Sequence, residues 1–458
     1  MVLDLKSLID GRGSEKFELY ARYISAGKVH AARQMGLDRH FVRAEGCYLY
    51  DSKDSRYLDC DAGNAVFSVG RNDPRIRRVI AALLDVAPAN WVARDTPLLA
   101  ALLAEALVQR MPPGLGKVLF TNAGAETVEA AIKFARKATN KPRVLFLEGD
   151  FHGLTYGALS VTDSGSRLPL MEQGFGPLVP GCQAMPWGDL TRLEQELAQG
   201  DVAALIFEPI QGASVRILEG AYLQEAAKLC ERHNALLIAD EILTGLGRTG
   251  AFLACQHNAV VPDMVLLAKA LSGGIMPVGA LIVRTAIHER LFRKANMFVH
   301  ASTFGENDYS MAAGLATLAV IDADGLTARA GRLGALLLDG LRTLQARHPM
   351  IAEVRGRGLL VGVELRAPGG WLRQPAAMYL ERRGLLGHLC VAWLNLHHRL
   401  LASAPTRNNV LRLHPPLGID ENQVAMAIAA IDSVLTEAER FPDGAGRMVL
   451  ERLLSTYG

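Results

Sequence analysis

Strong charge bias is absent from this sequence, and so is any long run of lysine or arginine. Its 458 residues include 49 Lys and Arg and 47 Asp and Glu, which leaves a net charge of +2. Proteins that bind nucleic acid or a membrane surface usually carry a basic patch. The balanced charge therefore favours small molecules as partners, with no nucleic acid and no membrane.

Paired cysteine motifs and long apolar stretches are also missing. The six cysteines are scattered without a CxxC pair, which indicates neither a disulfide framework nor a zinc site. Acidic residues interrupt the N-terminal stretch MVLDLKSLIDGRG, and no apolar run approaches the length that spans a membrane. We expect a cytoplasmic protein with reduced thiols and no metal site.

Short apolar runs alternate with amphipathic segments in the middle of the chain. The runs are KVLFTN, VLFLEGD, AALIFEP, ALLIADE and MVLLAK. This alternation predicts an α/β large domain over residues 61–330, with a mainly parallel, doubly wound sheet covered by helices on both faces. Residues 46–60 predict a β-hairpin in an N-terminal segment, 1–60, that belongs to the small domain. Residues 331–458 predict the rest of this smaller α+β domain.

Polar or glycine residues follow each of these apolar runs. In a doubly wound sheet, ligands bind beyond the carboxyl ends of the strands, so we expect these residues to line one crevice. They are Asn122 to Ala125, Asp150 to Gly153, Glu208, Asp240 with Glu241, and Lys269.

The predicted crevice contains the groups that pyridoxal phosphate needs. Lys269 can form a Schiff base, and Asp240 can pair with a protonated ring nitrogen. Gly124 and Ala125 begin a predicted helix, whose free N–H groups can hold a phosphate. Phe151 offers an aromatic face for the ring. These residues predict pyridoxal 5'-phosphate as the cofactor.

A rival interpretation comes from GLGRTG at residues 245–250, which has the GxGxxG pattern of dinucleotide-binding oxidoreductases. In that motif the glycines open a helix directly after the strand. Here residues 240–244 intervene, and the following AFLACQHNAVVPD is a poor helix. The glycines are better explained by tight turns near the crevice.

Several longer stretches carry a family resemblance. In order, they are TNAGAETVEAAIKFAR, FHGLTYGALSVT, ALIFEPIQGA, LLIADEILTGLGRTGAFLACQHNAVVPDMVLLAKALSGGIMPVGA, STFGENDYSMAAGLA, RGRGLLVGVEL and VLRLHPPL. They resemble the blocks of the class III pyridoxal-phosphate-dependent aminotransferases over about residues 40–435, and GGIMPVGA is similar to the putrescine and ornithine type. The resemblance implies a fold type I PLP-dependent transferase that forms a homodimer.

The resemblance also implies cofactor contacts. Lys269 is the Schiff-base lysine, and Asp240 holds the ring nitrogen. Phe151 stacks on the ring beside His152. Gly124 and Ala125 would bind the phosphate, and Thr303 would reach the phosphate of the neighbouring subunit. Leu243 is another of these positions, and it stands where many members have a glutamine that contacts the cofactor hydroxyl.

The implied reaction is a transamination in two ping-pong half-reactions through Lys269. The donor would be a diamine, an ω-amino acid or a related terminal amine, and the acceptor 2-oxoglutarate or pyruvate. Arg412 would receive a substrate carboxylate, and Glu208 would neutralise Arg412 when an amine binds instead. An aminomutase or a decarboxylase of the same fold is an alternative. Residues 365–411 either cover the substrate entrance or form a surface excursion.

Overall fold

The computed structural model describes residues 3–90, 92, 95–163, 174–292, 300–367, 375–405 and 408–440. Each of the predicted regions has parts outside the described residues. These parts are 1 and 2 of the N-terminal segment, 91, 93, 94, 164–173 and 293–299 of the predicted large domain, 368–374, 406 and 407 of the segment 365–411, and 441–458 of the predicted small domain.

The strands form three sheets. Their order is β1-β2-β3-β13 in a four-stranded sheet, β4-β10-β9-β8-β7-β5-β6 in a seven-stranded sheet and β11-β12-β14 in a three-stranded sheet. The bounds are β1 Phe41–Glu45, β2 Tyr48–Asp51, β3 Arg56–Asp59, β4 Leu115–Thr121, β5 Arg143–Leu147, β6 Cys182–Met185, β7 Val202–Phe207, β8 Leu236–Asp240, β9 Met264–Leu267, β10 Gly279–Arg284, β11 Ile351–Arg357, β12 Leu360–Leu365, β13 Leu400–Leu401 and β14 Val410–Leu413.

Helices surround the sheets. In the described residues the α-helices are α1 Leu5–Arg12, α2 Lys16–Tyr20, α3 Ala26–Gln34, α4 Pro74–Val86, α5 Leu98–Val108, α6 Gly124–Thr139, α7 Tyr156–Ser160, α8 Leu190–Leu197, α9 Gly220–Arg232, α10 Thr285–Leu291, α11 Asp308–Ala323, α12 Leu326–Gln345, α13 Pro375–Arg382, α14 Leu386–Trp393 and α15 Glu421–Glu439. Short 3₁₀ turns span Gly13–Glu15, Ala254–Asn258 and Lys269–Ser272, and π-helical turns span Ala21–Ser25 and Leu394–His398.

The seven-stranded sheet confirms the predicted fold class. Its strands β6, β5, β7, β8 and β9 are parallel to one another. Successive side chains of a strand point to opposite faces, so Val144 and Phe146 pack in a cluster with α6, whereas Leu145 and Leu147 pack in one with α8 and α9. The sheet is therefore covered on both faces, as the apolar runs predicted.

Strand β10 was missed by the sequence analysis, and it runs antiparallel to both neighbours, β4 and β9. Residues 268–278 alone connect β9 to β10, and a parallel connection needs about a dozen residues or more. The short connection explains the reversal. It also brings the segment after Lys269 back across the carboxyl edge of the sheet.

The predicted hairpin is present as β2 and β3, which pair antiparallel. Strand β3 also pairs in parallel with β13, so the hairpin is joined to a segment close to the C-terminus. The helices α1 and α3 before the hairpin were missed, although each has a side-chain cap, from Asp4 and Ser25. The domain boundaries after residues 60 and 330 stay predictions.

The length and apolarity of the described helices bear on whether the chain could cross a membrane. No single one of them is long and apolar enough to cross a membrane, and α11 with α12 reaches the required length and apolarity only as a pair bent by 61°.

Arg248 of the GLGRTG segment is fully buried and joins distant parts of the chain. Its Nη1 donates to the carbonyl oxygens of Leu359, at 3.1 Å, and of Pro415. Its Nη2 donates to Ser68 Oγ at 2.8 Å. In the described stretch 245–263 no α-helix begins at the glycines, as a dinucleotide site requires. The segment is thus a structural junction, and burial lowers the pKa of Arg248 to about 9.

We expect Arg248→Met to destabilise the fold, because it keeps the side chain's length but leaves buried carbonyl groups without a donor. Each unsatisfied group should cost roughly 1–3 kcal/mol of the free energy of unfolding. Chemical denaturation followed by circular dichroism measures this change. The matched control is Arg232→Met, which removes an exposed pair with Glu194 and should cost less than about 1 kcal/mol. Equal stability of the two variants would contradict the junction role.

Candidate active site

A cavity of about 780 Å³ lies at the carboxyl edge of the seven-stranded sheet. The parallel strands β7, β8 and β9 end there, so residues that are far apart in sequence meet. Of the predicted site residues, all except Thr303 line the cavity: Gly124, Ala125, Phe151, His152, Glu208, Asp240, Leu243, Lys269 and Arg412. Most of the strand-end residues expected in one crevice line this cavity, but Asp150 and Glu241 do not. Asp150 accepts from Gln211 and the N–H of Glu208, and Glu241 accepts the N–H groups of Ala254 and Cys255.

Lys269 follows the fully buried strand β9 and opens a 3₁₀ turn. Its backbone has φ 41°, a left-handed conformation that is uncommon for a residue with a side chain and typical of functional sites. Burial, assisted by the charge of Arg412, lowers the pKa of Lys269 to about 8, against the opposing effect of Glu208 and Asp240. A useful fraction of the amine is therefore deprotonated near neutral pH.

Asp240 ends strand β8, and His152 holds its carboxylate in place. The distance from Asp240 Oδ2 to His152 Nδ1 is 2.7 Å, and Asp240 Oδ1 accepts the N–H of Ile242 at 3.0 Å. A second carboxylate, Asp150, lies 3.7 Å from His152 Nε2. Burial disfavours the imidazolium, but the two carboxylates outweigh it and raise the pKa of His152 to about 10.

This arrangement gives His152 a function that the sequence analysis missed. We predicted that His152 lies beside Phe151 at the ring. In the structure its ring lies between the buried side chains of Asp150 and Asp240, and it contacts Asp240 directly. The signal was present in the sequence, since Asp150 and His152 both follow the apolar run VLFLEG. What the sequence could not show is that His152 reaches Asp240, which ends a strand separated from this run by β7.

The N-terminus of α6 is open to an outside acceptor. Its N-cap residue, Ala123, makes no side-chain cap bond, so the first N–H groups of the helix lack an intrahelical partner. Glu126 is bonded elsewhere, to the N–H of Asn122 at 2.9 Å. A Cβ added at Gly124 would lie 2.8 Å from Ile242 Cδ1. The cradle is thus closely packed, positive by its dipole, and suited to a phosphate.

These groups fit pyridoxal phosphate. Lys269 supplies the amine, Asp240 the carboxylate for a ring nitrogen, and α6 the phosphate cradle. Phe151 is 39% exposed and presents an aromatic side chain to the cavity. Leu243 packs in an apolar cluster with Ala65, Ile210, Val215 and Leu360. Its side chain therefore cannot make the polar contact to the cofactor hydroxyl that a glutamine makes in many members.

Arg412 and Glu208 both line the cavity, and they form no ion pair with each other. Glu208 accepts the backbone N–H groups of Phe151, at 2.7 Å, and Gly212, at 2.8 Å. Burial, with the nearby charge of Asp150, raises the pKa of Glu208 to about 8. Arg412 donates to the carbonyl of the same Gly212. The backbone of Gly212 thus bonds both side chains. The neutralisation of Arg412 by Glu208 stays a prediction.

Thr303 is exposed and is absent from the residues that line the cavity of its own chain. Its neighbour Ser302 accepts a hydrogen bond from Asn122 Nδ2 at 2.6 Å and donates to Glu126 Oε2 at 3.1 Å. The segment that carries Thr303 is therefore anchored beside the start of α6, with Thr303 facing outward.

Known proteins with similar sequences agree with the function that the site geometry indicates. The model of the family described as aminotransferase class-III matches residues 30–435. The putrescine aminotransferase of Pectobacterium atrosepticum is 36% identical over 398 residues, which cover 84% of this chain and 80% of that protein. The aminotransferase PigE of Serratia sp. is 32% identical over 468 residues, which cover 94% of this chain but only 54% of PigE. The chain thus spans about half the length of PigE.

Solved structures also match. The ornithine aminotransferase of Toxoplasma gondii superimposes with a TM-score of 0.83 at 29% identity, covering 96% of this chain and 99% of that one. A second structure of that enzyme, with a TM-score of 0.81, 28% identity and coverage of 96% and 99%, is described with partial occupancy of PLP at its active site. The similarity to putrescine and ornithine aminotransferases predicted from GGIMPVGA is confirmed.

We expect Asp240→Asn to weaken cofactor binding about 10-fold to 100-fold, since loss of a charged hydrogen-bond partner costs roughly 1.5–3 kcal/mol. Titration of the cofactor-free protein with pyridoxal phosphate, followed by absorbance, gives the dissociation constant. The control is Asp339→Asn, which changes an exposed carboxylate on α12 that pairs with Arg342. The same affinity in both variants would show that Asp240 does not hold the cofactor.

Proposed function

The chain belongs to the class III aminotransferases, which depend on pyridoxal phosphate, and we propose that it transfers a terminal amino group from a diamine, an ω-amino acid or a related amine to a 2-oxo acid. The observation that carries this proposal is Lys269, a half-buried amine with a lowered pKa, in one cavity with Asp240 and Arg412. These three groups supply the proton carrier, the ring-nitrogen partner and the carboxylate receptor that the reaction requires.

When bound, pyridoxal phosphate supplies an aldehyde that condenses with amines and a ring that accepts electron density from the adjacent carbon. Asp240, held in place by His152, would hold a proton at the ring nitrogen. The N–H groups at the start of α6 would hold the phosphate, and Phe151 would cover one face of the ring. Each of these contacts fixes the orientation of the reacting carbon relative to Lys269.

Lys269 would move the proton. Its pKa of about 8 lies close to the working pH, where a group exchanges protons most effectively in both directions. Because the amine donor and the 2-oxo acid both need Lys269, they would occupy the same cavity in turn. This is the physical reason for two successive half-reactions.

Two ionisable side chains that line the cavity, Arg412 and Glu208, support the choice of substrates. Arg412 is suited to the carboxylate of 2-oxoglutarate or pyruvate, because an arginine can contact a carboxylate with two parallel hydrogen bonds. Glu208, whose pKa lies at about 8, offers a carboxyl group to a second amine. The names of the relatives, putrescine and ornithine aminotransferase, support a donor with a terminal amine.

We expect Lys269→Ala to abolish both half-reactions, because it removes the amine that lines the cavity. In the unmodified, cofactor-free protein, pyridoxal phosphate followed by borohydride should label the peptide that contains Lys269. The labelled fraction, read by mass spectrometry, should rise with pH and reach half its maximum near pH 8, because a pKa lowered from 10.5 to about 8 makes the amine available there.

The Lys269→Ala protein is the matched control for this labelling, since the same peptide then lacks the amine. If another lysine peptide carries the label and Lys269→Ala retains turnover, the proposed function is wrong.

We also propose that the protein is a homodimer whose active sites each receive Thr303 from the partner subunit. Thr303 and its neighbour Phe304 are exposed, Phe304 by 63%, although Ser302 anchors them beside the phosphate end of the cavity. Exposed aromatic side chains are enriched at interfaces between subunits. The outward direction of Thr303 supports its use by another chain.

Mixed dimers test the shared site. Thr303→Glu should repel the cofactor phosphate at the site it touches, because like charges at close range are unfavourable, and Lys269→Ala disables the site of its own chain. When the two inactive variants are refolded together in equal amounts, about half of the dimers are mixed. Each mixed dimer has one intact site of two, so about one quarter of the unmodified activity should return.

Refolding each variant alone is the control and should restore nothing. If mixed dimers form, as shown by their mass, and remain inactive, Thr303 serves its own chain or no site.

A further inference from the structure

A left-handed turn at residues 62–65 borders the substrate end of the cavity. Four successive residues have positive φ: 47° at Ala62, 61° at Gly63, 59° at Asn64 and 61° at Ala65. Each residue with a side chain is disfavoured in this conformation, and such backbone persists where its surroundings hold it, often at functional sites. Asn64 and the adjacent Val66 line the cavity.

Two carboxylates hold this turn. Asp59 Oδ1 accepts the N–H of Ala62 at 2.8 Å, and Asp61 Oδ2 accepts the N–H of Asn64 at 3.0 Å. Asp59 is itself fixed by an ion pair with Arg71 at 2.7 Å. The backbone of Asn64 is therefore held by specific contacts, and its side chain has a defined direction.

The side chain of Asn64 contacts Arg412. Its Oδ1 accepts from Arg412 Nη2 at 2.8 Å. Arg412 Nε donates to Ser403 Oγ at 3.1 Å, and Nη1 donates to the carbonyl of Gly212. Three different parts of the chain thus hold the three nitrogens of one guanidinium group.

These contacts leave Arg412 able to bind an anion. An arginine has five N–H donors, so each terminal nitrogen keeps one after the three bonds are made. In the part of the chain that the structure describes, Arg412 forms no ion pair, and all three acceptors are neutral. Burial lowers the pKa of Arg412, while the charges of Asp61 and Glu208 oppose that shift without contacting it. The guanidinium keeps its charge and has no carboxylate partner.

Ser403, the acceptor of the Arg412 Nε hydrogen bond, lies next to a neutral histidine. Ser403 Oγ lies 3.2 Å from His414 Nε2. Burial, with the charge of Arg412, lowers the pKa of His414 to about 3, so the imidazole carries no charge and can accept a proton from Ser403. Ser403 can then accept from Arg412 while it donates to His414. The carboxylate of Asp61 lies on this side as well, 3.6 Å from His414 Nε2, but in the described residues it forms no ion pair with Arg412.

We propose that Asn64 is a positioning residue, which holds Arg412 in the direction that receives the carboxylate of the 2-oxo acid and thereby favours that half-reaction selectively. The inference rests on the proposed function. An aspartate at position 64 would offer the same geometry but would pair with Arg412 and consume its charge. The amide of Asn64 orients the guanidinium and leaves the charge to the ligand.

The experiment measures the two half-reactions separately by the absorbance of the bound cofactor. Asn64→Ala should raise the KM for 2-oxoglutarate or pyruvate about 10-fold or more, because a hydrogen bond to a charged group is lost. The rate with a diamine should stay within about threefold of the unmodified protein. Asn64→Asp should show the same loss with the 2-oxo acid, because its carboxylate occupies Arg412, and no loss with the diamine.

Asn72→Ala is the matched control. Asn72 also has positive φ, 54°, and its Nδ2 donates to the carbonyl of Ala44 at 2.8 Å, but it lies outside the residues that line the cavity. Both of its half-reactions should equal those of the unmodified protein. Glutarate, a dicarboxylate that cannot react, gives a second measurement: calorimetry should show about 10-fold weaker binding to Asn64→Ala than to Asn72→Ala.

The outcomes separate this inference from the proposed function. An equal loss in both half-reactions of Asn64→Ala, with unchanged glutarate binding, would overturn the positioning role while the proposed function stands. So would Asn64→Asp with an unchanged KM for the 2-oxo acid. If the unmodified protein itself transfers no amino group to either 2-oxo acid, the proposed function fails, and this inference fails with it.

Discussion

The pairing of Asp240 with His152 is the contact on which the rest of the site depends. A carboxylate buried at the end of a strand is costly unless a positive partner or several donors compensate it. His152 provides that charge at 2.7 Å, and Asp150 on its other side keeps the imidazole protonated. Since Gln211 and the N–H of Glu208 in turn bond Asp150, strands β5, β7 and β8 are fixed to one another at the level of the cavity.

The second constraint is the separation of opposite charges at the substrate end. Glu208 and Arg412 would form a strong ion pair if they met, and neither would then respond to a ligand. The backbone of Gly212 bonds each of them instead, since its N–H donates to Glu208 and its carbonyl accepts from Arg412. The site therefore offers an acidic and a basic group to its substrates, each held by neutral contacts. That separation is what lets one cavity accept an amine and a carboxylate in turn.

Sequence patterns predicted the parts of the fold that depend on local periodicity. The parallel strands and the hairpin of β2 and β3 follow from runs of apolar residues and from turn residues, and the crevice follows from the rule for strand ends. Strand β10 was missed, and its antiparallel direction depends on the connection from β9 rather than on a local pattern. The roles of His152 and Asn64 were missed because each depends on a partner at a distant position in the chain, Asp240 and Arg412, which no local pattern specifies.

Strained backbone conformations occur at residues that also carry or contact a charged group of the site. Lys269 and Asn64, in the turn at residues 62–65, both have positive φ, and both line the cavity. A left-handed residue at Lys269 turns the chain sharply out of the buried strand β9, so its amine is delivered at the sheet edge. At Asn64 the same conformation turns the amide toward Arg412. In each case burial and hydrogen bonds of neighbouring residues hold a conformation that the residue itself disfavours, which is how a rigid sheet and a short turn define the position of reactive groups.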